Sequence, residues 1–159
     1  SSSAGPPQAS AAILAFDRFM IESSPVCLNE PAARCVDMGF RFADADRDGE
    51  LSLAELADVR ATLERWVAWK GDAIAPKDRT SIAIGLLILD AVGLDKLLAS
   101  YNSDGDGKLS KKELLTDVRL DQRPLGQVLM DPKAVDRHAV AKRLGWLAPA
   151  ADGLMAKSP

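Results

Sequence analysis

The sequence has little of what most catalytic and nucleic-acid-binding proteins are built on. It holds one histidine, His138, and two cysteines, Cys27 and Cys35. A zinc site of histidine and cysteine ligands is therefore a poor reading, and no nucleophile–base pair stands out. His138 reads as a surface or packing residue. No glycine-rich phosphate loop is present. Lysine and arginine number 20 against 23 aspartates and glutamates, for a net charge of -3, so the basic excess expected of a nucleic-acid-binding protein is missing. The longest apolar run, residues 82–89, is interrupted by Gly85 and ended by Asp90. It is far shorter than the ~20 residues a membrane helix needs, and it reads as a buried core helix. Aromatic residues are scarce at 5%.

What is present favours a soluble, mostly helical chain. Hydrophobic residues make up 47% of the 159 positions and charged residues 27%, with alanine and leucine abundant. The length suits one compact domain or two small lobes sharing a core. The opening SSSAGPP reads as a flexible tether over residues 1–8, and residues 148–159 as a flexible tail around a single domain over residues 9–147. The sequence starts at Ser1 rather than methionine, as a processed mature end or an arbitrary boundary would leave it. A signal peptide or an anchor is the kind of segment that processing removes.

Helical spacing places a first amphipathic helix over residues 10–21, with Ser10 as its N-cap, and a loop over residues 23–31. Pro25 and Pro31 argue against a continuous helix around the two cysteines. A turn there would bring Cys27 and Cys35 together in a short disulfide loop, which favours an oxidising compartment, periplasmic or secreted. Two free buried cysteines in a cytoplasmic protein are the alternative. A second helix carries Val36 and Phe40. A third runs from about Leu53 to Lys70 with Leu56, Val59, Leu63 and Trp66 on its apolar face, and Gly71 stops it. A linker over residues 72–78 precedes an apolar helix over residues 79–92. Beyond Gly93 the helical period continues through Leu94, Leu97, Leu98 and Tyr101. Residues 110–120 read as another helix and residues 125–129 as a short one. Asp131–Pro132 reads as the opening of a last helix that Gly145 closes. Trp66, Trp69 and Trp146 read as packing residues, with a peptide-binding anchor as the sharper alternative.

Two acidic loops, beginning at Asp44 and Asn102 and 58 positions apart, carry the chemistry. Aligning them also aligns the apolar positions on both flanks, so the repeated unit is helix–loop–helix, about residues 32–70 and 93–120. In the first loop Asp44, Asp46 and Asp48 occupy positions 1, 3 and 5, Gly49 position 6 and Glu55 position 12. Carboxylates at alternate positions converge on one point if the chain coils around it. Gly49 permits the sharp turn that such a coil needs. Position 7, Glu50, offers a backbone carbonyl, and position 9, Ser52, acts through a water. The second loop supplies Asp104, Asp106, Gly107, Lys108, Ser110 and Glu113 at the matching positions, with Asn102 in place of aspartate at position 1. Ser52 with Glu55 and Ser110 with Glu113 also fit the helix capping box.

Both segments resemble the loops of the EF-hand superfamily, the group that includes calmodulin. The resemblance implies an all-α fold of paired hands with additional N-terminal, inter-hand and C-terminal helices. It also implies a short two-strand ladder through Leu51 and Leu109, and two bound calcium ions. Calcium is a hard cation that takes six to eight oxygens at about 2.3–2.6 Å, and magnesium competes for such ligands in a smaller cage. The second loop has three aligned carboxylates against four, and Lys108, Lys111 and Lys112 add positive charge near it, so it is expected to bind more weakly. The scattered methionines, Met20, Met38, Met130 and Met155, lend no support to a calmodulin-style methionine-rich groove. The expected role is a calcium sensor or signalling module acting through a protein or peptide partner. The alternative is a calcium buffer or a structurally calcium-stabilised protein, and a calcium-regulated enzyme subunit ranks below both. The chain is expected to be a non-enzymatic monomer, with no nucleic-acid partner and no membrane span.

Overall fold

The computed structural model describes residues 9–145. The expected tether and tail, Trp146 and Met155 lie outside the described residues. The order of elements is α1 (Ala11–Asn29), α2 (Ala32–Ala43), β1 (Glu50–Ser52), α3 (Leu53–Lys70), a single 3-10 turn (Gly71–Ala73), α4 (Pro76–Val92), α5 (Leu94–Tyr101), β2 (Lys108–Ser110), α6 (Lys111–Leu114), α7 (Leu125–Met130) and α8 (Arg137–Leu144). The fold is all-α, and its one sheet among the described residues is the antiparallel β1–β2 ladder. Leu51 faces Leu109 across that ladder. Among the described residues no helix is long and apolar enough to cross a membrane.

Three small cores hold the helices. Ile13, Phe16, Trp66 and Ile74 join α1 to α3. Phe40, Leu51, Leu98 and Leu109 lie directly behind the ladder. Ala32, Val128 and Ala134 close the C-terminal end. In the first core the Phe16 and Trp66 rings lie 5.5 Å apart. Asp17 on α1 accepts the Trp66 indole N–H at 3.0 Å and pairs with Lys70 at 2.9 Å. Those two donors, the indole first, hold the Asp17 carboxyl below its ordinary range. Helix α1 thus lies against both α2 and α3, the two helices that flank the first loop.

Several boundaries differ from those the sequence suggests. Helix α1 does not end near Ile21. It runs through Pro25 to Asn29, and the turn falls instead at Glu30–Pro31. The extra turns are held from outside the local sequence: α1 packs on α2 and α7, Ser23 is buried, and the Cys27–Cys35 disulfide ties α1 to α2. Ser10 caps the start as expected, accepting the Ile13 N–H at 3.2 Å. Pro76 opens α4 at its first turn and so belongs to the helix, not to a linker. Helix α4 is not the buried core helix that its composition suggests. None of its described residues is buried, and Leu87 is 68% exposed, because among the described elements only α3 and α5 make substantial contact with it. Gly93, at φ 96°, breaks α4 from α5.

The helix expected over residues 110–120 is a single turn, α6. Beyond it Val118 bridges to Val135, the Arg119 N–H bonds to the Ala134 carbonyl, and the Asp117 carbonyl accepts the Asp136 N–H. These cross-chain bonds take the backbone groups that a longer helix would have used. The last helix starts at Arg137 with Asp136 as its N-cap. Asp131 instead caps a turn, accepting the Lys133 N–H at 2.9 Å, and pairs with Arg123 at 2.8 Å. Gly145 ends α8 as expected, and His138 is exposed on it. Helix α8 is anchored by Arg143. Its guanidinium lies 3.8 Å over the Tyr101 ring, meets the buried Asp117 carboxylate at 2.6 Å, and also donates to the Ser100 carbonyl.

The disulfide joins residues eight positions apart, so it constrains a short loop in the unfolded chain. The double substitution Cys27→Ser with Cys35→Ser should lower unfolding stability by about 2–3 kcal/mol, measured by urea titration against the oxidised protein. An unchanged midpoint would remove the disulfide from the account of how α1 is held.

Candidate metal centres

The two loops are built alike from the backbone up. Asp44 and Asn102, the C-caps of α2 and α5, have nearly the same conformation, φ -78° and ψ 78° against φ -80° and ψ 78°. Gly49 and Gly107 both take positive φ, 83° and 80°, at the turn that folds each loop back on itself. Each loop then enters a three-residue strand and a capped helix. Ser52 and Ser110 accept the N–H groups of Glu55 and Glu113, both at 3.1 Å. The glutamates return the contact, accepting the N–H groups of Ser52 and Ser110, both at 2.9 Å. Cap and cluster are therefore not alternatives, since each glutamate serves both.

In the first loop Asp44, Asp46, Asp48 and Glu55 bring a carboxylate oxygen each to within 4.8 Å of one another. Backbone N–H groups of the loop preorganise them. Asp44 accepts from Gly49 at 2.9 Å, and Glu55 accepts from Asp46 at 3.1 Å. Glu55 is buried, and the backbone N–H of Ser52 is the largest of the influences that hold its carboxyl below the ordinary range. Asp48 is drawn down to about 2, chiefly by Lys108, whose ammonium lies 2.5 Å from it.

In the second loop the corresponding group is Asp104, Asp106 and Glu113, joined by Glu50 from the first loop. Glu113 is buried and accepts from the Asp104 N–H at 3.2 Å and the Ser103 hydroxyl at 3.1 Å. Asn102 Oδ1 is buried and has no hydrogen-bond partner among the described residues, at the position where the first loop has Asp44. An orphaned buried oxygen beside an all-oxygen acidic group is what a hard cation would satisfy, so the residues present fit calcium. Glu50 itself is pushed up to about 7, first by its contact with Asp106, then by burial and the neighbouring aspartates.

Two of the predicted residues reach beyond their own loops. Glu50 was expected to offer its backbone carbonyl with its side chain free to vary, and Lys108 to add positive charge near the second site. Their side chains instead cross the ladder, Glu50 into the second group and Lys108 onto Asp48 of the first. The signal was in the sequence: opposite charges at position 7 of two loops that pair at position 8.

Residues 36–59 and 103–118 match the family model described as EF hand. The chain carries two EF-hands. The first matched segment spans its acidic loop with both flanks, the second runs from Ser103 through the rest of its loop and the exit turn, and the EF-hand family is a calcium-binding one. No curated protein and no solved structure matches the chain.

The EF-hands meet through Leu51 and Leu109, each 3% exposed. Leu51→Ala should lower stability by about 2–4 kcal/mol in chelator-treated protein, read by thermal or denaturant unfolding. A loss well under 1 kcal/mol would mean that the ladder is not what joins the hands.

Proposed function

We propose that this protein is a calcium sensor that binds two ions, one in each EF-hand, and acts through a protein or peptide partner without catalysing a reaction. The ligand set of the first site is Asp44, Asp46, Asp48 and Glu55, with the Glu50 carbonyl and Ser52 through a water. That of the second is Asn102, Asp104, Asp106 and Glu113, with the Lys108 carbonyl and Ser110 through a water. The observation that carries the reading is the pair of preorganised carboxylate groups on a shared ladder.

The sensor reading draws support from what lies behind the ladder. An apolar cavity of about 310 Å³ opens between α3, α4 and α5, walled by Leu56, Val59, Leu63, Leu86, Leu89 and Leu97. Glu55 is the third residue of α3, the helix that forms one wall of that cavity, so the first site and the cavity share an element. The alternative, a calcium buffer, is favoured by the bracing of α3 against α1 through Trp66 and Lys70. Because the hands pair within one chain, the reading is a monomer. The Cys27–Cys35 disulfide favours a periplasmic or secreted setting over a cytoplasmic one.

Calorimetry should count two calcium ions per chain, and Glu55→Gln should remove one of them. A count of zero in the unmutated protein would end the calcium reading. An apolar dye should brighten when calcium is added to the sensor, whereas equal fluorescence with and without calcium would assign the buffer role.

A further inference from the structure

The two loops are not electrostatically independent. The register Glu50↔Ser110 and Ser52↔Lys108 sets the position-7 residue of each loop beside the other loop's cluster. Glu50 thereby places a carboxylate oxygen within 4.8 Å of oxygens on Asp104, Asp106 and Glu113. Lys108 makes the reverse crossing and meets Asp48 at 2.5 Å.

We propose that the two hands exchange position-7 side chains, so that Glu50 supplies a fourth carboxylate to the second calcium site and Lys108 occupies a ligand of the first as a built-in competing cation. The proposal rests on the calcium reading above and deepens it. Three observations converge on it: the Glu50 carboxylate within the second cluster, the Lys108–Asp48 pair, and the buried, unpartnered Asn102 Oδ1 on the same second site. Asn102 is a neutral ligand where the first loop has Asp44, and Glu50 restores the missing charge. The own-loop count of four carboxylates against three then no longer ranks the sites. The first keeps four but must displace an ammonium from one of them, and the second reaches four with no salt bridge to any of them among the described residues. Glu50 also becomes a physical link, its carbonyl serving one ion and its carboxylate the other.

The test is a calcium titration followed at the Gly49 and Gly107 amide resonances, one in each loop, in the full chain and in Glu50→Gln and Lys108→Gln variants. Glu50→Gln keeps the backbone carbonyl and removes only the charge. It should move the Gly107 midpoint to about ten-fold higher calcium, and move Gly49 less. Lys108→Gln should move the Gly49 midpoint to lower calcium. A Glu50→Gln effect that is as large at Gly49 as at Gly107 overturns the exchange, as does a Lys108→Gln variant whose first site is no tighter. If neither resonance of the unmutated protein responds to calcium, the calcium reading itself fails, which is a different result from a normal titration that the two variants leave unchanged.

Discussion

The pairing of Leu51 with Leu109 is the contact on which the rest of the structure depends. Each is a single residue at the centre of a three-residue strand, and a two-strand ladder of that length has no stability of its own. It persists because both leucines are buried in one cluster with Phe40 from α2 and Leu98 from α5, the helices that enter the two loops. The ladder fixes where each loop ends, and so where Glu55 and Glu113 begin their helices. It also fixes the register that carries Glu50 and Lys108 across. Sliding one strand by one residue would turn its leucine out of that cluster and undo the register that carries Glu50 and Lys108 across.

Electrostatics and conformation are set by the same backbone. The loop N–H groups converge on the carboxylates of Asp44, Asp46, Asp104 and Asp106 and on the two buried glutamates, so like charges are held together at short range before any cation is added. Lys108 offsets part of that repulsion in the first group. In the second, Glu50 adds to it, and its carboxyl is raised accordingly. The two hands thus carry the same backbone and unequal local balances of charge.

The parts of this arrangement that were legible in the sequence are those fixed by local chemistry. The twelve-residue spacing, the turn glycines, the serine caps and the ends of α2, α3 and α7 follow from residues close in the chain. The parts that were not legible depend on distant partners. Helix α1 passes through Pro25 because α2, α7 and a disulfide hold its last turns. Helix α6 stops after one turn because Val118 finds Val135, and α8 starts late because the Asp136 N–H bonds to the Asp117 carbonyl. Apolar composition alone put α4 in the core, yet burial also needs neighbours on several sides, and α4 has them on few. The crossing of Glu50 and Lys108 lies between these cases. It was deducible once Leu51 and Leu109 were paired, but a loop-by-loop count of ligands does not contain it.

The brace at the far end of α3 links the strength of a distant contact to events at the loop. Helix α3 is held at one end by Ser52 and Glu55 and at the other by the Trp66 and Lys70 bonds to Asp17. A movement of α3 large enough to open the apolar cavity must stretch those bonds, and hydrogen bonds to a charged group are worth about 1.5–3 kcal/mol each. On the sensor reading that work is subtracted from the free energy of ion binding, and the contact between α1 and α3 would set the calcium level of the response. A chain with a weaker brace would bind its ions more tightly through unaltered ligands. On that reading sensitivity would be written some distance from the metal, in the packing of the first helix.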